Sequence, residues 1–117
     1  MNDRVKKKLF TFEVRLSRMT GSSSLGDKTY DTISIKGYLK EELKVVSYSL
    51  GKEITSSAQV YIDGKDMSKV DAKDLVTAGI VTSEDVFIPL VKDRQILKRE
   101  NFYRPNSTPE VGVIYLA

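Results

Sequence analysis

Asp63, Asp66 and Asp71, with Gly64 among them, are the grouping in this chain whose residue types come nearest to metal chemistry. A calcium loop places its glycine after several oxygen ligands, whereas here Gly64 directly follows the first aspartate, and Lys65 and Lys69 would carry positive charge into the site. A turn followed by a helix cap accounts for the same residues. Nine Asp and seven Glu supply enough carboxylates for an acid–base pair. Such a pair must be held at fixed separation in a cleft, and these acids sit mainly at turns, where capping and Asx-turn roles explain them. The chain contains no His and no Cys, so the commonest nucleophiles, bases and metal ligands are missing together. The expectation is a protein that is not an enzyme, with no catalytic, cofactor-binding or metal-binding residues and no cofactor.

Phosphate chemistry is the next possibility. Thr20-Gly21-Ser22 and Leu25-Gly26-Asp27 lack the strand–loop–helix setting and the terminal Gly-Lys-Ser/Thr of a phosphate loop. Arg4, Lys6, Lys7 and Lys8 form a basic arm. A solvated terminus is the simpler reading of it. In many copies around a DNA channel, however, its phosphate contacts would add up without reading sequence, so these four are the candidate DNA or partner contacts. Arg94, Lys98 and Arg99 read as the solvent face of a strand. Tyr61, Phe87, Phe102 and Tyr103 offer a possible base-stacking platform, the basis of a rival reading as a stand-alone nucleic-acid-binding barrel.

These side chains must be positioned by short strands. Phe10, Phe12, Val14 and Leu16 alternate with Thr11, Glu13, Arg15 and Ser17, which predicts a strand with one buried face. Residues 19–28 are a Ser- and Gly-rich loop, followed by a strand with Ile33 and Ile35 inward and Gly37 marking a bulge or bend. The two strands form a long hairpin. Residues 41–50 fit a short helix or, by their β-branched and aromatic content, a strand. Residues 52–57 read as a loop. Ala58, Val60 and Ile62 define another strand, ended by Asp63-Gly64. The best helical candidate is 66–78, with Ser68 or Asp71 as cap, Asp74 at the capping-box distance, Leu75 and Val76 inward and Gly79 as stop. A strand over 86–90 is ended or edged by Pro89, Lys92-Asp93 makes a turn, and another short strand begins at Gln95. After a polar loop over 105–109, Val111 to Leu116 is apolar on both faces, as in a strand buried on one side and covered on the other, a neighbouring subunit being one candidate cover.

The 117 residues fit one domain, with a basic arm over 1–8 and a single domain over 9–117. The fold class is mainly β, a small β-barrel with one short helix and long polar loops; closure removes the exposed strand edges. A two-layer sandwich is the competing architecture. The net charge of +3 is too mild to be a nucleic-acid signature. No apolar run approaches the roughly 20 residues of a membrane span, so no membrane partner is expected.

Taken together, the pattern resembles the head-completion proteins of tailed bacteriophages and prophages, the small head–tail connector, stopper or minor capsid proteins. The stretch Lys8-Leu9-Phe10-Thr11-Phe12-Glu13-Val14-Arg15-Leu16, its polar insert and Lys28-Thr29-Tyr30 are similar to that family's first hairpin. Ser57-Ala58-Gln59-Val60-Tyr61-Ile62-Asp63-Gly64 resembles its central strand. Ser83-Glu84-Asp85-Val86-Phe87-Ile88, then Ile96-Leu97 and Phe102-Tyr103-Arg104-Pro105-Asn106, resemble its closing strands, and Val111 to Leu116 its last. The resemblance implies a homo-oligomeric ring at the head–tail interface of the virion, assembled in the host cytoplasm. A portal or adaptor protein would lie above the ring and a tail-completion protein below. One loop per subunit would close the channel on packaged double-stranded DNA, touched without sequence preference. Carried onto this chain, the gating candidates are Ser22, Ser23, Ser24 and Gly26 in the first loop, or Gly51, Lys52 and Ser56 in the second. A tail-completion (terminator or joining) role is the alternative within the same setting.

Overall fold

Phe12, Val14 and Leu16 point to one side of the first strand and Glu13, Arg15 and Ser17 to the other, and this alternation continues around a closed barrel. In the structure, a computed structural model that describes residues 8–22, 26, 28–48, 51–103 and 109–117, the strands are β1 (Phe12–Ser22), β2 (Lys28–Lys40), β3 (Lys44–Tyr48), β4 (Lys52–Ser56), β5 (Ala58–Asp63), β6 (Leu75–Val81), β7 (Phe87–Tyr103) and β8 (Pro109–Leu116). Six of them close in the order β1-β2-β5-β8-β7-β6, while β3 and β4 form a separate two-stranded sheet. Every pairing is antiparallel. The small β-barrel expected from the sequence is therefore present, and the sandwich is not.

The barrel is filled by one face of each strand: Val14 and Leu16, Ile35 and Leu39, Ala58, Val60 and Ile62, Val76 and Ala78, Val91, and Ile114 and Leu116. A short 3-10 helix (Gly64–Lys69) follows β5. Its Met67 packs against the core and lies over Gly112, where a Cβ would collide with the thioether.

Strand β8 is buried on both faces, as its sequence requires. Its second face is covered from within the chain. Val46 of β3 and Ile54 of β4 lie on Val113 and Tyr115, with Tyr61 completing the cluster. The β3–β4 hairpin is thus a flap on the outside of the barrel, and no neighbouring subunit is needed to cover β8.

Several local expectations are corrected. Leu75 and Val76 lie in strand β6, not in a helix, and Gly79 sits inside that strand. Val76, Thr77, Ile80 and Val81 are β-branched and suit a half-buried pleated surface, and Val76 and Ala78 alternate into the core. The acids that looked like a helix cap close a turn instead: Asp71 N–H donates to Asp74 Oδ2 at 2.9 Å, and Lys73 N–H donates to Asp71 Oδ1 at 2.9 Å. The short 3-10 helix lies upstream of them, capped by Asp63, whose side chain accepts from Lys65 N–H.

Lys92-Asp93 is not a turn. It is a β-bulge inside the 17-residue strand β7, with Asp93 at φ 50° and its N–H donated to Thr77 Oγ1 at 3.0 Å. Residues 52–56 are strand β4 rather than loop. Gly37 sits in an unbroken register opposite Phe12; its role is packing, since a Cβ there would meet the Tyr61 carbonyl, Val14 and Ile62.

Candidate functional site

The pairing registers carry two hairpins, β1–β2 and β6–β7, beyond the closed part of the barrel. Strand β2 meets β5 just through Gly37–Lys40, so residues 28–36 pair with β1 alone. Strand β7 meets β8 from Ile96 onward, so residues 87–95 pair with β6 alone. Relative to the β5–β8 ladder, Gly37 aligns with the Ile62–Gly112 end and Ile96 with the Ala58–Leu116 end. The two hairpins therefore leave the barrel at opposite ends, within a molecule of 51 × 46 × 27 Å.

The β6–β7 hairpin is the more apolar arm. Ile80, Val81, Val86, Ile88 and Leu90 are all exposed. Ile80 opposes Ile88 and continues the inward-facing row of Val76 and Ala78 past the barrel mouth. On the other face Phe87 lies beneath the Arg15 guanidinium, 3.9 Å from ring centre to Cζ, and Arg15 Nε donates to Glu13 Oε2 at 2.8 Å. This contact ties the arm to β1. The free edge is blunted against strand addition by Pro89 and the two bulges. The apolar face of the arm stays exposed. The β1–β2 arm carries Met19 opposite Tyr30, both exposed.

The candidate gating residues are scattered by the fold. Ser22 ends β1 opposite Lys28; Ser23 and Ser24 lie outside the described residues. Gly26 is exposed at φ 87°. Gly51 turns the β3–β4 hairpin at φ 72° and Lys52 opens β4, both exposed. Ser56 is not a loop residue. It is fully buried, its Oγ lies 2.8 Å from the Ala58 and Leu116 carbonyl oxygens, and it accepts from Gln59 Nε2 at 3.1 Å. Its hydroxyl anchors the flap to the barrel and is excluded from any moving tip.

Of the basic candidates, Arg4, Lys6 and Lys7 lie outside the described residues, and Lys8 is exposed. All three cations read as solvent-facing prove to be ties, Arg99 Nη1 donating to the Val70 carbonyl at 2.7 Å. Arg94 Nη1 donates to Ser57 Oγ at 2.9 Å and to the Ala117 carbonyl at 2.8 Å, and Lys98 Nζ donates to the Ser47 carbonyl at 2.6 Å. The acids of the supposed calcium loop are equally committed: Asp66 pairs with Lys69 at 3.0 Å. The Lys73 N–H, helped by the nearby charges of Arg18 and Arg99, holds the Asp71 carboxyl below its ordinary value. Among the described residues no group of three or more His, Cys, Asp or Glu could hold a metal ion, and no helix is long and apolar enough to cross a membrane.

The four aromatic residues do not form one platform. Tyr61 joins Tyr38 and Phe12 in a chain of ring contacts, with centroids 6.2 and 5.6 Å apart, and Phe87 is taken by Arg15. Phe102 and Tyr103 remain 52% and 59% exposed. Beside them sequence reasoning missed a groove of about 450 Å³, lined by Gly64, Met67, Ser68, Arg99 and Asn101. Its residues come from the 3-10 helix and β7, more than thirty positions apart in the chain, and no local motif announces it. Comparison of the chain with protein-family models, curated proteins and solved structures finds no match.

Proposed function

We propose that this chain is a structural subunit of a ring at the head–tail junction of a tailed phage or prophage, where it closes the portal channel and helps to retain packaged DNA. The reading rests on the resemblance of its strands to head-completion proteins. The structural observation that carries it furthest is the pair of one-sided hairpins leaving opposite ends of the barrel, one of them bearing Ile80, Val86, Ile88 and Leu90. A rotational ring needs two different surfaces on each copy, whereas a two-fold dimer reuses one. The apolar arm and the Met19–Tyr30 arm are two such surfaces. The exposed tips at Gly26 and Gly51 are the candidates for the channel. The arm from Arg4 to Lys8 would touch the DNA backbone, and portal or adaptor and tail-completion proteins would dock above and below. The work is mechanical; no reaction is assigned to the chain.

The test is a mass measurement on the purified chain, alone and with a candidate portal protein. The expected result is a ring or a portal-bound species for the wild type, and a monomer for Ile88→Asp with an unchanged circular dichroism spectrum. A wild-type chain that stays monomeric at high concentration in the presence of the portal overturns the reading.

A further inference from the structure

We infer that the groove between the 3-10 helix and β7 is a binding site for a phosphate ester carrying a base, with Arg99, Ser68 and Asn101 holding the phosphate and Tyr103 flanking the base. Arg99 and Asn101 line the groove with Ser68 and Met67, and alternation along β7 carries their side on to Tyr103, past a register irregularity at Phe102–Tyr103 whose extra residue lies on β8. The groove's volume of about 450 Å³ falls within the usual range for small-ligand sites. The polar side chains among its described lining residues are a guanidinium, a hydroxyl and an amide, all able to donate hydrogen bonds, with the Ser68 hydroxyl also 3.4 Å from the Lys65 carbonyl; no carboxylate is among the described lining residues. Arg99 is already oriented, because Nη1 donates to the Val70 carbonyl at 2.7 Å; its remaining donors make the planar fork that suits phosphate oxygens. The acids next to the lining residues in the chain have partners of their own: Asp63 accepts from the Lys65 N–H, Asp66 pairs with Lys69 and Glu100, between Arg99 and Asn101, pairs with Lys98. Tyr103 follows Asn101 on the same side of the strand and is 59% exposed. An exposed ring beside a cationic groove is the arrangement on which a base stacks.

This inference stands apart from the ring, since it concerns the isolated chain. One chemistry has two sources here, a free nucleotide or a nucleic-acid strand, and the test separates them. Amide resonances of the full chain are followed on titration with inorganic phosphate, a nucleoside monophosphate, a short single-stranded oligonucleotide and a duplex. The expected result is a shift centred on Ser68, Arg99 and Asn101 with all phosphate-bearing probes at low salt. Tyr103→Ala should weaken the nucleotide or the oligonucleotide by roughly tenfold, with little change for inorganic phosphate. Tighter binding of the oligonucleotide than of the mononucleotide identifies a strand as the ligand, and the reverse identifies a free nucleotide. Arg99→Ala removes a structural hydrogen bond as well, so Asn101→Asp serves as the second variant: it keeps the shape, adds a negative charge and is expected to abolish the shift. Shifts spread over surface lysines elsewhere, or binding unchanged in Asn101→Asp and Tyr103→Ala, overturn the inference.

Discussion

The Arg18 guanidinium holds the Asp74 carboxylate with two donors, Nε to Oδ1 at 2.9 Å and Nη2 to Oδ2 at 3.1 Å. Asp74 is among the few fully buried polar side chains, and its Oδ2 also accepts from Asp71 N–H. Arg18 Nη2 reaches the Lys69 carbonyl at 3.1 Å, so one pair ties β1 to the end of the 3-10 helix and to the turn that enters β6. The Asp74 hydrogen bond comes first among the causes that raise the pKa of Arg18, which stays charged at any pH of interest.

Asp74→Ala is therefore expected to leave Arg18 and the Asp71 N–H without their protein acceptor and to lower the urea midpoint below that of the wild type. Asp74→Asn should cost less, because an amide oxygen still accepts one bond. Equilibrium urea unfolding measures both, and equal midpoints for Asp74→Ala and the wild type would refute the role assigned to the pair.

Two glycines make opposite demands on their neighbours. A Cβ on Gly112 would meet the Met67 side chain, whereas one on Gly79 would meet the Ile88 carbonyl and the Pro89 Cα, which are backbone. Gly112→Ala should cost about 1–3 kcal/mol as an overpacked core position, and most of that cost should vanish in a Met67→Ala background. Gly79→Ala should cost more and find no such relief. A double-mutant cycle decides the point; strict additivity at Gly112 and Met67 would contradict the packing described.

The flap is held by a small apolar cluster of its own. Val46→Asp places a charge against Val113 and Tyr115, so the β3–β4 hairpin should lift while the barrel persists. Hydrogen exchange should accelerate over 44–48 and 52–56 and stay slow over the inward-facing strands. Global unfolding in place of local opening would show that flap and barrel are one cooperative unit.

Acid and alkali should act through different groups. The Asp71 carboxyl is depressed, first by the Lys73 N–H, so its contribution is present above the unfolded value near 3.9 and is lost as pH falls through the lower folded value. The Tyr115 hydroxyl is raised, by burial first and then by Glu100. Its contribution is complete below the unfolded value near 10 and is lost as pH rises through the higher folded one. Melting temperatures across pH should therefore fall at both extremes. Asp71→Asn should flatten the acid limb and Tyr115→Phe the alkaline limb; limbs unmoved by these changes would assign the titrations elsewhere.

Much of the barrel was legible in the residues themselves, because side-chain alternation is a local property of an extended chain. Val14 and Leu16, Ile35, and Val60 and Ile62 were placed inward by spacing alone, and the two-faced character of β8 follows from its composition. Signals that depend on a neighbour misled. Asp71 and Asp74 have the spacing of a helix cap, but the same carboxylates close a turn when the following residues are drawn into a slot between β1 and β7. Lys92-Asp93 has turn chemistry, but Thr77 across the sheet turns it into a bulge. Ser56 looks like loop serine until Gln59 and the Leu116 carbonyl bury it.

Local residue order thus determined the mainly β class, the inward faces and the absence of His and Cys, since each depends only on side-chain type and a period of two. Tertiary structure decided what covers β8, which edges remain without a partner and that Arg99 and Asn101 meet Ser68 in one groove. Those outcomes depend on strand register and chain closure, which bring together residues far apart in sequence and which no local pattern encodes.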